Sequence, residues 1–331
     1  MNNVINLWDT LDNGTNLYEM QLRNATLKSV GEDNEETWAN NIKQNIKTYD
    51  KDAFDYKFNS LGFRSSEFDN NDPVKILYAG CSVTEGTGLP IEHVWASFLN
   101  NQISEEIKKP VNLYSASRGG HSVDAIVRYT HMVIRNNFKP DYVFFMLPAV
   151  TRKEIILDDM NLNCMSTYNF ISHMSPPPNA MPGTKEIHKN LVNLINYRDS
   201  YNSVFKNLLF MNYFLMTEQI PWSFAFWNDE MRPDMIVSPI MAEKNLDTSI
   251  PEALRDHYVP GGLVFDHYYD MHPESINPAH PSVFEKKFTH TIARDGVHYG
   301  PNSHYNYSKD IYNYLIKKPA YFRELLDKWK N

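Results

Sequence analysis

Two short stretches of this chain hold residue types that can do chemistry. Gly80-Cys81-Ser82-Val83-Thr84-Glu85-Gly86 follows an apolar run, and Asp295-Gly296-Val297-His298 lies near the C-terminus. An acid three residues before a His can turn its carboxylate onto the ring and fix which nitrogen carries the proton. A Ser in a glycine-flanked turn after a strand can present an exposed hydroxyl at the edge of a sheet. Together they supply acid, base and attacker, the parts of a serine nucleophile system.

Those residues need elements to hold them. Val74 to Ala79, closed by Gly80, reads as a buried strand. Helical spacing follows over Glu92 to Ile107. A second unit runs from a strand over Val111 to Tyr114, through the turn Arg118-Gly119-Gly120, to a helix from Ser122 to Arg135. Tyr142 to Leu147 is apolar on both faces, as a sheet covered on both sides requires. Trp222 to Trp227 reads as a fourth strand after a helical stretch over 187–217, and two amphipathic helices over 304–315 and 320–329 close the chain. Strand, turn and helix in alternation imply βαβ crossovers and a parallel sheet. In such a sheet the loops leaving the carboxyl ends gather in one crevice. Ser82, Gly119-Gly120 and the segment after Leu147 all lie on such loops.

Elsewhere the pattern is weaker. Residues 1–55 are polar and read as an arm or small subdomain, with Trp8, Leu11, Leu17 and Trp38 able to dock on a neighbour. The main domain spans 56–331. Residues 151–185 read as an inserted loop, and 229–290 as a second insertion rich in Pro and His. His267, Asp270, His272 and His280 share that second insertion, but their spacing matches no metal geometry, so no metal or other cofactor is expected. The run Trp222, Phe224, Phe226, Trp227 reads as core in preference to a carbohydrate platform, and Cys81 as packing. Arg118 and Arg152 read as surface or salt-bridge residues, either of which could face a sugar carboxylate or sulfate.

Composition narrows the field. With 331 residues and 42% hydrophobic content, a packed core is affordable. A formal charge of -8 argues against nucleic acid as a partner. Two cysteines, Cys81 and Cys164, suit neither a disulfide framework nor a zinc knuckle. The first residues carry no basic and apolar segments of a secretory signal, and no apolar run approaches the ~20 residues of a membrane helix. Synthesis in a cytoplasm and no membrane insertion are the expectations.

At residues 56–316 the chain resembles the SGNH (GDSL-type) hydrolases, esterases and lipases with a three-layer α/β/α flavodoxin-like fold. Asn59-Ser60-Leu61-Gly62-Phe63-Arg64 is similar to the lead-in of many members. Gly80 to Gly86 is similar to the family's Gly-Asp-Ser-x-Thr-x-Gly block, with Cys81 where Asp usually stands. Asp295 to His298, followed by Tyr299-Gly300-Pro301, is similar to its last block. The resemblance implies Ser82 as nucleophile, His298 as base and Asp295 as its orienting acid. It implies an oxyanion hole from the N–H groups of Ser82 and of Gly120, with Gly119 as the alternative register. The third block departs. Val150 stands where the family has its oxyanion-hole Asn, and Thr151, Arg152 or an insertion residue are the alternatives for that donor.

The implied activity is hydrolysis of an ester, an O-acetyl group on a polysaccharide or similar glycan, through an acyl-enzyme. A glycan-binding or structural module with weakened catalysis is one alternative, motivated by Val150. An O-acyltransferase with the same three residues is another. Similar chains with a Gly-Cys-Ser block occur in bacteriophage genomes, which implies virion association or host-glycan modification.

Overall fold

A computed structural model describes residues 22–150, 152–159, 162–169, 197–227, 250–263, 285–317 and 320–331. In chain order the elements are β1 (Thr26–Leu27), α1 (Glu35–Lys43), β2 (Tyr56–Lys57), β3 (Ile76–Gly80), α2 (Ser82–Glu85), α3 (Trp95–Ile107), β4 (Tyr114–Ser115), α4 (Val123–Arg135), β5 (Tyr142–Leu147), β6 (Arg152–Asp159), β7 (Leu162–Asn169), α5 (Tyr197–Thr217), β8 (Trp222–Phe226), α6 (Glu252–Arg255), α7 (Pro301–Lys317) and α8 (Ala320–Lys330).

The central sheet has the order β4-β3-β5-β8, and every pairing in it is parallel. In order of appearance these strands stand 2-1-3-4, the arrangement of a flavodoxin-like doubly wound sheet. Side chains alternate between two covered faces. Leu77, Ala79, Val143, Phe145, Trp222 and Phe224 pack against α4 and α5 on one side. Ile76, Tyr78, Tyr142, Phe144 and Met146 pack against α3, α7 and α8 on the other. That two-sided burial explains why β3 and β5 are unbroken apolar runs. Each such side chain contributes on the order of 1.5–3 kcal/mol.

The helices start where local chemistry stops the chain from staying extended. Ser122 caps α4, its hydroxyl accepting from the Ala125 N–H at 3.3 Å. α3 begins instead under an imidazole from α7: His304 Nδ1 accepts the Trp95 N–H at 3.0 Å. Burial, then the nearby His298 and His93, push His304 down to about 3. His121 is lowered too, by burial and then by Arg118, Arg128 and Arg152. The unfolded chain therefore binds these protons near pH 6.5 while the folded chain refuses them. Stability is fully present above that pH and falls as pH drops below it toward the depressed folded values. Urea unfolding at pH 7 and pH 5 should differ by a few kcal/mol in that direction, about 1–3 kcal/mol per pH unit for two protons. Equal midpoints at the two pH values would contradict it. Asp295 enters only at lower pH, since its folded value lies below 3.8.

Several boundaries differ from the sequence reading. The strand expected over Val111 to Tyr114 is Tyr114–Ser115. The helix expected from Glu92 begins at Trp95, after a 3₁₀ turn over Ile91–His93. The insertion read as a loop over 151–185 contains an antiparallel ribbon, β6 with β7, registered Arg152 to Asn169 and Asp159 to Leu162. Its strands pair with each other, outside the central sheet, so they leave no core-facing alternation in the sequence. The His267 to His280 cluster, Thr151, Trp8, Leu11 and Leu17 lie outside the described residues, whereas Cys164 falls in β7, in register with Leu157.

The polar N-terminal stretch is tied into the domain. β1 pairs with β2, Leu22, Tyr56 and Phe58 form a small apolar cluster, and Asp33 makes a fully buried ion pair with Arg294. No described helix is long and apolar enough to cross a membrane.

Candidate active site

The candidate residues lie on loops at the carboxyl edge of the central sheet. β3 runs into α2, whose first residue is Ser82. Gly80 is required there, because a Cβ would lie 2.2 Å from Thr84 Oγ1 and 3.0 Å from the Met146 carbonyl oxygen. As the first residue of a helix, Ser82 has an N–H with no intrahelical acceptor. The segment from Gly80 to Pro90 is buried throughout. Ser82 itself is only 6% exposed, against the exposed hydroxyl expected from the sequence. His298, on the loop before α7, lies against it.

That loop carries the other two residues. His298 Nε2 lies 2.8 Å from Ser82 Oγ. His298 Nδ1 meets Asp295 Oδ2 in a short hydrogen bond. Asp295 Oδ1 accepts the N–H groups of Val297 at 2.9 Å and His298 at 3.0 Å. Burial acts to raise the Asp295 carboxyl, but these donors outweigh it, and its value falls below the usual one. An ionised Asp295 takes the Nδ1–H, which leaves Nε2 as the acceptor toward the Ser82 hydroxyl.

The turn after β4 supplies the glycines. Glu85, at the end of α2, is buried and reaches this turn with both oxygens. Oε1 pairs with Arg118 Nη1 at 2.5 Å, and Oε2 accepts the Gly119 N–H at 2.7 Å. The Gly119 N–H is thereby spent. Gly120 sits at φ +79°, where an L side chain is strained, and no heavy atom lies within 4 Å of a Cβ built there. Of the two registers, the geometry favours Gly120 as a donor to a bound group. Of the two readings for Arg118, surface or salt bridge, the structure has the salt bridge: it is buried and paired with Glu85, bracing the turn.

After β5, Val150 is 1% exposed and belongs to the apolar core. Val150 therefore offers no hydrogen-bond donor at this position. Arg152 is 8% exposed, within hydrogen-bond distance of the His121 carbonyl through Nη1 at 3.5 Å, and its guanidinium lies 5.4 Å from the Trp227 ring centroid. It too is buried and not a surface residue. Trp222, Phe224 and Phe226 are core, as expected, whereas Trp227 is half-buried and stands edge-on to Tyr299, beside His298.

Sequence reasoning missed the residues that hold the loops. Arg64 donates to the carbonyls of Gly86 at 2.7 Å and Leu89 at 2.8 Å, fastening the chain just after α2. Asn59 Oδ1 accepts from Leu61 and Phe63, each at 3.0 Å, which shapes the turn that delivers Arg64. Gly88, at φ +76°, lets this loop touch the other: its carbonyl accepts the Arg294 N–H at 2.7 Å, and a Cβ there would meet Ala293 at 2.8 Å. Asn59 and Arg64 stand in a lead-in with no apolar period, so nothing in the sequence marked them as buried. Among the described residues no cluster of His, Cys, Asp and Glu could hold a metal ion.

No protein-family model matches the chain, and no curated protein matches it. Solved structures with a similar course of chain include TesA, with 11% identity, a TM-score of 0.38, and 72% of this chain and 97% of that one covered. The psychrotrophic esterase EstA from Pseudoalteromonas sp., inhibited by monoethylphosphonate, has 13% identity and a TM-score of 0.40, with 77% and 100% covered. At such identity and TM-score the likeness identifies no activity, and the chemistry of this chain rests on its own residues.

Proposed function

We propose that this protein is a serine esterase. The observation that carries the reading is the continuous contact from Ser82 Oγ through His298 to Asp295 at the carboxyl edge of the parallel sheet. In the proposed reaction His298 Nε2 takes the Ser82 proton as Oγ attacks the ester carbonyl. Asp295 holds the ring in the right tautomer and stabilises the imidazolium. The N–H groups of Ser82 and Gly120 receive the oxyanion, which is worth a factor of about 10²–10³ per donor. The imidazolium then gives its proton to the departing alcohol. Water, deprotonated by His298, releases the acyl group and restores Ser82.

A small acyl group, acetyl in the first instance, suits a nucleophile that is 6% exposed. An O-acetylated glycan is the substrate class we propose. The hole so described has two backbone donors and an apolar Val150 in place of a third, which predicts a modest rate on activated esters.

The test is turnover of p-nitrophenyl acetate together with labelling by a fluorophosphonate, read by peptide mass. Release of p-nitrophenolate above background with the label on Ser82 is the expected result. No release and no label on Ser82 would leave the glycan-binding reading in its place.

A further inference from the structure

Beside the Ser82 crevice, the exits of β5 and β8 bring together groups that can only donate. Arg152, on the β5 side, is more than nine-tenths buried, and its Nε has no hydrogen-bond partner. Among the described residues its one hydrogen bond is the long Nη1 contact to the His121 carbonyl, one residue beyond Gly120. Among the described residues no carboxylate lies within ion-pair distance of it. Arg118, by contrast, has Glu85. Trp227, immediately after β8, lies against the Arg152 guanidinium, and its indole Nε1 is also buried without a partner. Trp227 in turn contacts Tyr299, the residue after His298. The two unsatisfied donors therefore lie between the Gly120 turn and the His298 loop.

A guanidinium buried without a counter-charge is costly, and buried charges are normally paired. An indole N–H has no acceptor capacity, and a guanidinium has none either. A site walled by such groups rejects cations and leaves a neutral group's alkyl body unrewarded, while a carboxylate, sulfate or phosphate satisfies both donors. Behind Arg152, His121 is stacked on Tyr129, and burial and then Arg118, Arg128 and Arg152 hold its pKa well below its usual range.

We propose that Arg152, with the Trp227 indole N–H, forms a subsite for an anionic group carried by the ester, next to the scissile bond. This deepens the serine-esterase reading and rests on it for the position of the scissile bond. The anionic group belongs either to the acyl chain or to the alcohol, as in an acetylated acidic sugar.

Two ester pairs separate those sources. On the acyl side, mono-p-nitrophenyl succinate is compared with its methyl ester. On the alcohol side, 5-acetoxy-2-nitrobenzoate is compared with its methyl ester. In one pair the wild-type protein should prefer the anion by about 10–10²-fold in kcat/KM, the usual scale for a desolvated charge contact. Arg152→Met should bring that ratio to about one, and Arg152→Lys should keep part of it. Binding is read separately, by calorimetry with succinate and with 5-hydroxy-2-nitrobenzoate. Binding of one of them to the wild-type protein and to Ser82→Ala, lost in Arg152→Met, supports the subsite even if no ester is turned over; the esterase reading alone then falls. Ratios near one in both pairs with no binding overturn the subsite while p-nitrophenyl acetate turnover keeps the esterase reading. Should Arg152→Met not fold, the wild-type ratios and binding, with Arg152→Lys, decide alone.

Discussion

Ser82→Ala should lower ester hydrolysis by about 10⁴–10⁶-fold while leaving the fold in place. The hydroxyl contributes the nucleophile and the donor to His298 Nε2 at once, so nothing replaces it. Only one small atom is lost, and the hydrogen bond given up is worth about 1 kcal/mol. Circular dichroism and the unfolding midpoint should therefore stay close to wild type. His298→Ala should cost nearly as much. Asp295→Asn should cost up to about 10⁴-fold, since an amide that donates to Nδ1 would favour the wrong tautomer. Because the three act as a unit, the double variant Ser82→Ala/His298→Ala should be scarcely slower than either single one. A Ser82→Ala protein that keeps a tenth or more of its activity would place the chemistry elsewhere.

The contact between Asp295 and His298 was legible because a spacing of three within one loop leaves a short carboxylate few other partners. The turn at Ser82 was legible for a related reason: Gly80 and Gly86 bracket a helix start directly after an apolar strand. The sheet could be read because β3 and β5 are buried on both faces and so are apolar throughout. What stayed hidden depends on partners far away in sequence. Gly119 and Gly120 are equivalent in the sequence until Glu85 takes one of their N–H groups. Arg118 and Arg152 could be read only as surface or salt-bridge residues, because nothing local marks a guanidinium as buried. β6 and β7 were missed because they answer to each other, and Arg294 because its carboxylate lies 261 positions earlier.

That last pair carries the second large effect. Arg294 precedes Asp295, is fully buried, and holds Asp33 through Nε and Nη2, with Nη2 to Oδ2 at 2.7 Å. Its remaining donors go to the carbonyls of Lys28 and Lys51, each at 2.8 Å, and of Phe54 at 3.3 Å. Asp33 also accepts from Trp38 Nε1 at 2.5 Å and from the Tyr56 hydroxyl. Burial and then the Asp33 carboxylate hold that phenol protonated far above its usual range, so it donates to Asp33 while its oxygen accepts the Gly88 N–H at 2.7 Å. The N-terminal segment is thus a clamp on the Asp295–His298 loop: Asn41 Nδ2 donates to the Arg294 carbonyl at 3.0 Å, and Gly296, at φ +72°, is the only residue type that clears the Asn41 side chain. Asp33→Ala should cost about 3–5 kcal/mol, because it leaves a guanidinium buried without a counter-charge. Removing both charges, as in Asp33→Ala/Arg294→Met, should recover part of that loss, since the penalty belongs to the orphaned cation more than to the missing bond. In the single variant kcat should fall while KM changes little, as the loop that orients His298 loosens and no contact to the ester is removed. Urea unfolding of the two variants and kcat and KM for p-nitrophenyl acetate are the measurements. A double variant less stable than Asp33→Ala would mean that the pair stabilises by attraction and that the orphaned charge is not the source of the loss.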